Sequence, residues 1–107
     1  MTTFDDRERA YEAKFAQDQD TEFKAVARRN RLLGVWAGGL MGLEQAHLDD
    51  YAQAVVKSEV DHPGDEDVLR KLFEDLKGSG VQVSEADVRM KMAELLAVAR
   101  EQIKAGA

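Results

Sequence analysis

Residues 84–106 read SEADVRMKMAELLAVAREQIKAG, and the spacing within them sets the fold class. Val88, Met92, Leu95, Ala99 and Ile103 recur at steps of four, three, four and four, and Leu96 widens the stripe. Such spacing is one buried face of an amphipathic helix. Ser84 followed by Asp87 has the form of a capping box, with Asp in place of the usual Glu. Gly106 stands just past the end, where helices commonly stop. A helix over about 85–104 follows.

Working back along the chain, the same period recurs. Gly78-Ser79-Gly80 is a break, and before it Val68, Leu69, Leu72, Phe73 and Leu76 mark a helix over about 65–77. Asp65, Glu66 and Asp67 lie in its first turn, where the helix dipole favours negative charge. His62-Pro63-Gly64 is a turn. Leu48, Tyr51, Ala52, Val55 and Val56 mark a helix over about 44–60. Phe23, Val26, Leu33, Trp36 and Leu40 supply apolar anchors to a helix over about 21–42. Gln17 to Glu22 carries no large apolar residue, so Asp20 or Thr21 is placed to cap a helix restarting there. The only strand-like alternation, Val81-Gln82-Val83, is too short for a sheet. The expected fold is all-α: a small four-helix bundle over residues 20–107, preceded by a flexible N-terminal arm over 1–19.

The chain has 107 residues and a formal charge of -6. Through Arg31 it holds seven basic and seven acidic residues, so the excess negative charge lies entirely after Arg31. An acidic chain is a poor general binder of nucleic acid or anionic membrane. There is no cysteine, which removes disulfides, thiolate metal sites and cysteine nucleophiles. The polar stretch from Thr2 to Glu12 does not read as a secretory signal. The longest run without a charge, Leu32 to Leu43, falls short of the roughly 20 residues of a spanning helix. The expectation is a protein without nucleic-acid binding or direct membrane insertion.

Candidate chemistry is sparse. No nucleophile-base pattern and no metal-ligand spacing occurs, so neither an enzyme nor a metal site is expected. His47 and His62 read as solvated histidines, and Trp36 as bundle core. Gly34, Gly38 and Gly42 are four apart, with Gly39 beside them. Small residues at that spacing allow close helix approach and a helix stop. A phosphate loop would need Lys and Ser or Thr after its last glycine, and Leu43-Glu44 follows here. Arg28, Arg29 and Arg31 form a basic cluster. It reads as a solvated face or as salt bridges to the later acidic helices, with weak ATP or ADP binding as the alternative.

The arm is the anomaly. Thr3 and Asp6 resemble a second capping box, and Phe4, Tyr11 and Phe15 share one helical face among Asp5, Arg7, Glu8, Arg9, Glu12 and Lys14. An isolated helix of this length is marginal in water. Three outcomes stand on the residues alone: anchors for a partner groove, a segment folded back on its own domain, or an idle tail.

The opening MTTFDDRERAYEAKF, residues 1–15, resembles the zeta subunit of alphaproteobacterial F-type ATP synthase. Phe23-Lys24-Ala25, Ala27 to Asn30, Leu32 to Ala37 and Lys91 to Leu96 extend the likeness over nearly the whole chain. The resemblance implies an inhibitor that is no enzyme, cytoplasmic and peripheral to the inner membrane through ATP synthase. It implies that the arm becomes helical and wedges between alpha and beta subunits of the catalytic head near the gamma subunit, blocking ATP hydrolysis, while a four-helix domain anchors it. Carried onto this sequence, the partner-binding positions are Phe4, Asp5, Arg7, Glu8, Arg9, Tyr11, Glu12, Lys14 and Phe15, with the three aromatics as anchors. No cofactor is implied beyond weak nucleotide binding. The alternatives are a nucleotide-responsive regulatory domain, or a general protein-interaction adaptor.

Overall fold

The computed structural model describes residues 3–61 and 64–106, with side chains from residue 19 onward except at 62 and 63. Four helices follow in order: α1 (Thr3–Leu40), α2 (Gln45–Asp61), α3 (Asp65–Gly78) and α4 (Glu85–Lys104). No strand occurs among the described residues. The all-α bundle is as the periodicity predicts, and α2, α3 and α4 begin and end within a residue or two of the expected limits.

The first helix differs. It runs unbroken from Thr3, so neither Asp20 nor Thr21 begins a helix. A lack of large apolar residues does not end a helix whose side chains face water. Gln19, Asp20 and Thr21 are exposed, and the Lys24 ammonium lies 3.1 Å from the Asp20 carboxylate one turn back. At 1.5 Å per residue, α1 is about 57 Å long, against roughly 30 Å for α4. It therefore outruns its partners, and the molecule measures 64 × 24 × 23 Å.

The core follows the stripes. Val68, Leu69, Leu72 and Leu76 of α3 meet Val88 and Met92 of α4, Val55 of α2, and Leu33 and Ala37 of α1. Trp36, Tyr51, Phe73 and Leu95 pack against them, half-buried. Phe23 and Leu40, expected as anchors, are exposed instead. Phe23 walls an open groove against the end of α2, and Leu40 lies in the last turn of α1.

Two helix ends use the same device. Leu43 N–H donates to Gly38 O and Gly42 N–H to Gly39 O, with Gly42 at φ 77°. Val81 N–H donates to Leu76 O and Gly80 N–H to Lys77 O, with Gly80 at φ 82°. This is the Schellman closure, which places a left-handed residue just after the helix. Its usual hydrophobic companion explains Val81, which packs on the core beside Leu76 and is no remnant of a strand.

Ser84 and Asp87 form the expected capping box. The Asp87 N–H donates to Ser84 Oγ and the Ser84 N–H to Asp87 Oδ2, both at 3.0 Å. We expect Ser84→Ala to cost about 1 kcal/mol, read as a lower urea midpoint with unchanged slope. The side chains of Thr3 and Asp6, and His62 and Pro63 altogether, lie outside the described residues.

The glycine stripe is a contact surface. A Cβ added at Gly34 would stand 2.5 Å from the Ala52 Cα of α2, and one at Gly38 would strike Leu48. Gly39 has nothing within 4 Å. Close approach of α1 and α2 thus rests on Gly34 and Gly38, while Gly42 serves the helix stop.

Candidate functional site

The side chains of Phe4, Asp5, Arg7, Glu8, Arg9, Tyr11, Glu12, Lys14 and Phe15 lie outside the described residues. What is described is the backbone that carries them and the root that holds it. The segment belongs to α1, so it shares a single helical backbone with Leu33 and Ala37 in the core.

The root is fixed by one buried residue and one ion pair. Ala25 is fully buried. Three residues earlier, Glu22 receives two hydrogen bonds from Arg100 of α4: Nη2 to Oε1 at 2.6 Å and Nε to Oε2 at 3.1 Å. This two-pronged geometry is the strongest that a carboxylate and a guanidinium form. The bonds from Arg100 hold the Glu22 carboxyl below the usual glutamate range, and Glu22 in turn raises Arg100. A carboxyl lowered in the folded state contributes stability that is full above its unfolded value, near 4.5, and is lost as pH falls through the lowered one. The tie is therefore constant across neutral pH.

The basic cluster divides. Arg29 is 2% exposed, and its Nη2 donates to Asp65 Oδ1 at 2.9 Å, in the first turn of α3. Its Nε and Nη2 also donate to Asn30 Oδ1 at 3.1 and 3.0 Å. Arg29 thereby locks α1 to the start of α3, one of the salt bridges to the later helices that the charge pattern predicts. Arg31 reaches Asp49 at 3.7 Å across to α2, and is exposed. Arg28 is half-buried at the edge of an open groove between α1 and α2, with Arg31 beside it. So Arg28 and Arg31 face one surface, and Arg29 faces inward. We expect Asp65→Ala, which leaves the buried guanidinium with Asn30 alone, to cost about 1.5–3 kcal/mol in urea unfolding; a change within error would show that Arg29 is satisfied without it.

A second network sits at the far end. Tyr51 donates its hydroxyl to Asp75 Oδ2 at 2.7 Å, and Lys71 donates to the same oxygen at 3.1 Å. Burial and the Asp75 carboxylate push the Tyr51 hydroxyl well above the usual range, so it stays protonated. Lys91 stands 5.7 Å from the centre of the Trp36 ring, a cation–π distance. These contacts join helices and leave no activated nucleophile. His47 is exposed, and His62 lies outside the described residues. Among the described residues no three His, Asp or Glu side chains converge as metal ligands. No described helix is long and apolar enough to cross a membrane.

The groove itself escapes a reading by helical stripes. Phe23, Val56 and Val60 line it, and only the absence of a covering helix leaves them open. The sole signal in the sequence is Val60, an apolar residue one step beyond the end of the α2 stripe.

Comparison with known proteins agrees with this architecture. A family model described as ATPase inhibitor subunit zeta matches residues 1–102. A solution NMR structure is similar at 41% identity and a TM-score of 0.69, over 80% of this chain and 98% of the other. No curated protein matches.

Proposed function

The chain belongs to the ATPase inhibitor subunit zeta family, and from that membership we propose that its N-terminal segment is the inhibitory element, inserted at a catalytic interface of alpha and beta subunits of the F-type ATP synthase head beside the gamma subunit. The bundle acts as anchor. The coarser role, an ATPase inhibitor subunit with a regulatory and not a catalytic task, comes with the family.

The observation that supports the finer reading is the length of α1. A helix of about 57 Å standing against partners of about 20–30 Å carries its N-terminal part beyond the bundle. Positions 4, 11 and 15 differ by seven and four, so Phe4, Tyr11 and Phe15 fall within one narrow arc at 100° per residue. Burying these aromatics yields about 25 cal/mol per Å², which offsets the cost of fixing the segment in a cleft. Asp5, Arg7, Glu8, Arg9, Glu12 and Lys14 surround that arc with both signs of charge. They set register, in a segment over 1–19 that holds five acidic and three basic residues, a net charge of -2.

The test is ATP hydrolysis by the purified cognate catalytic head with increasing amounts of the full chain. Saturable inhibition is expected. Hydrolysis unchanged at saturating protein would overturn the proposal.

A further inference from the structure

The open groove lies between α1 and the C-terminal half of α2. Its two adjoining hollows, about 830 and 530 Å³, share Phe23, Ala27, Val56 and Val60 as walls. Phe23 and Val60 are 69% and 67% exposed. Single exposed apolar residues are ordinary, but two that wall one continuous hollow mark an interaction surface.

Charge singles out the occupant. The chain is acidic overall, yet the rim of the larger hollow holds Lys24, Arg28, Arg31 and Lys57 against one carboxylate, Asp61. Lys24 and Arg31 share their charge with Asp20 and Asp49. Arg28 and Lys57 have no ion-pair partner among the described residues. The smaller hollow adds Gln19, Asn30 and two carboxylates, Glu22, which Arg100 pairs, and Glu59. Asn30 is fully buried, its Oδ1 is taken by Arg29, and its Nδ2 has no acceptor. Glu59 Oε2 has no donor. Buried polar groups are nearly always paired, so an unused donor and an unused acceptor beneath one apolar wall mark the least satisfied part of the bundle.

We infer that this groove is the anchoring surface of the bundle, and that it takes an amphipathic helix of the ATP synthase catalytic head whose apolar face is flanked by carboxylates. The inference rests on the inhibitor reading and deepens it: one partner is held at two places along α1. Phe23 follows directly on Glu22, the root of the N-terminal segment, so a helix seated in the groove lies beside that segment's base. Apolar contacts with Phe23 and Val60 supply affinity, and the four cations orient the incoming helix.

Two variants of the full chain test it: Phe23→Asp with Val60→Asp, and Arg28→Glu with Lys57→Glu. None of these four side chains belongs to the bundle core, and an unchanged thermal melt verifies the fold. Direct binding to the purified head is measured apart from ATP hydrolysis. We expect both variants to bind about tenfold more weakly or worse, to need correspondingly more protein for half-inhibition, and to reach the wild-type residual activity at saturation. Wild-type binding should weaken as salt rises. Unchanged binding by both variants overturns the inference. So does stronger inhibition, which would assign the groove to the chain's own N-terminal segment. A wild-type dimer that the variants split would assign it to a second copy. Localised amide shifts at Arg28 and Arg31 on adding ATP or ADP, with head binding unaltered in the variants, would assign the cations to a nucleotide. If the wild type binds through the groove but leaves hydrolysis untouched, the inhibitor reading fails and the groove stands.

Discussion

A chain lacking residues 1–19 is expected to lose inhibition of ATP hydrolysis at every concentration while keeping a folded bundle. The described core cluster, formed by Leu33, Ala37, Val55, Val68, Leu69, Leu72, Leu76, Val88 and Met92, is retained whole in the shortened chain. Ala25 and the Glu22–Arg100 pair also remain, so the shortened α1 keeps its hold on α4. Far-UV circular dichroism should show a cooperative melt close to that of the full chain. Within the segment, Phe4→Ala and Tyr11→Ala should each weaken inhibition by roughly 1–4 kcal/mol, the range of interface hot spots. Undiminished inhibition by the truncated chain would remove the segment from the mechanism and leave the bundle as the inhibitor.

Gly34→Val should produce the largest loss of stability available from a single small residue. The new Cβ would stand 2.5 Å from Ala52 Cα and 3.1 Å from Ala52 Cβ. The nearer atom is backbone, so no side-chain rotation relieves the clash and α2 must move as a body. Overpacking of this kind costs about 1–3 kcal/mol or more, and in a domain this small each kcal/mol lowers Tm by roughly 4–8 °C. Gly39→Ala is the matched control. It sits one residue from Gly38 in the same helix, with nothing within 4 Å of its new Cβ. Replacing a helical glycine by alanine there should raise stability by up to about 1 kcal/mol. If Gly39→Ala proved as harmful as Gly34→Val, the glycines would be serving helix conformation and not the contact with α2.

Much of the bundle is legible in the residues, and the reason is periodicity. Val88, Met92 and Ala99 are buried where their spacing puts them, and Ser84 with Asp87 closes the box that the pattern predicts. Glycines at intervals of four correctly mark a close helix contact, because only backbone can approach where Gly34 meets Ala52. What periodicity misses is where a neighbour is lacking. Phe23 has the residue type of an anchor but faces only an open groove against α2, and that depends on where α2 and α4 end in space. The unbroken course of α1 through Gln17 to Glu22 is missed for a related reason, since a solvated helix needs no apolar stripe. Arg29 is the subtlest. Three arginines look alike in sequence, and one turns inward because Asp65 waits at the start of α3. The inhibitory segment is legible only by resemblance, since three aromatics on a stripe do not say what they fit.

The continuity of α1 has a mechanical consequence. A segment joined to its domain by a flexible linker pulls on one attachment point, and contacts give way there one after another, as tape peels. Here the same helix continues into the seams with α2 and α4. Tension along its axis arrives as shear, shared at once among Ala25, Leu33, Ala37, the Arg29–Asp65 bridge and the Glu22–Arg100 pair. Contacts loaded in parallel resist far more force than the same contacts loaded in turn, so this bundle is built to hold against an axial pull.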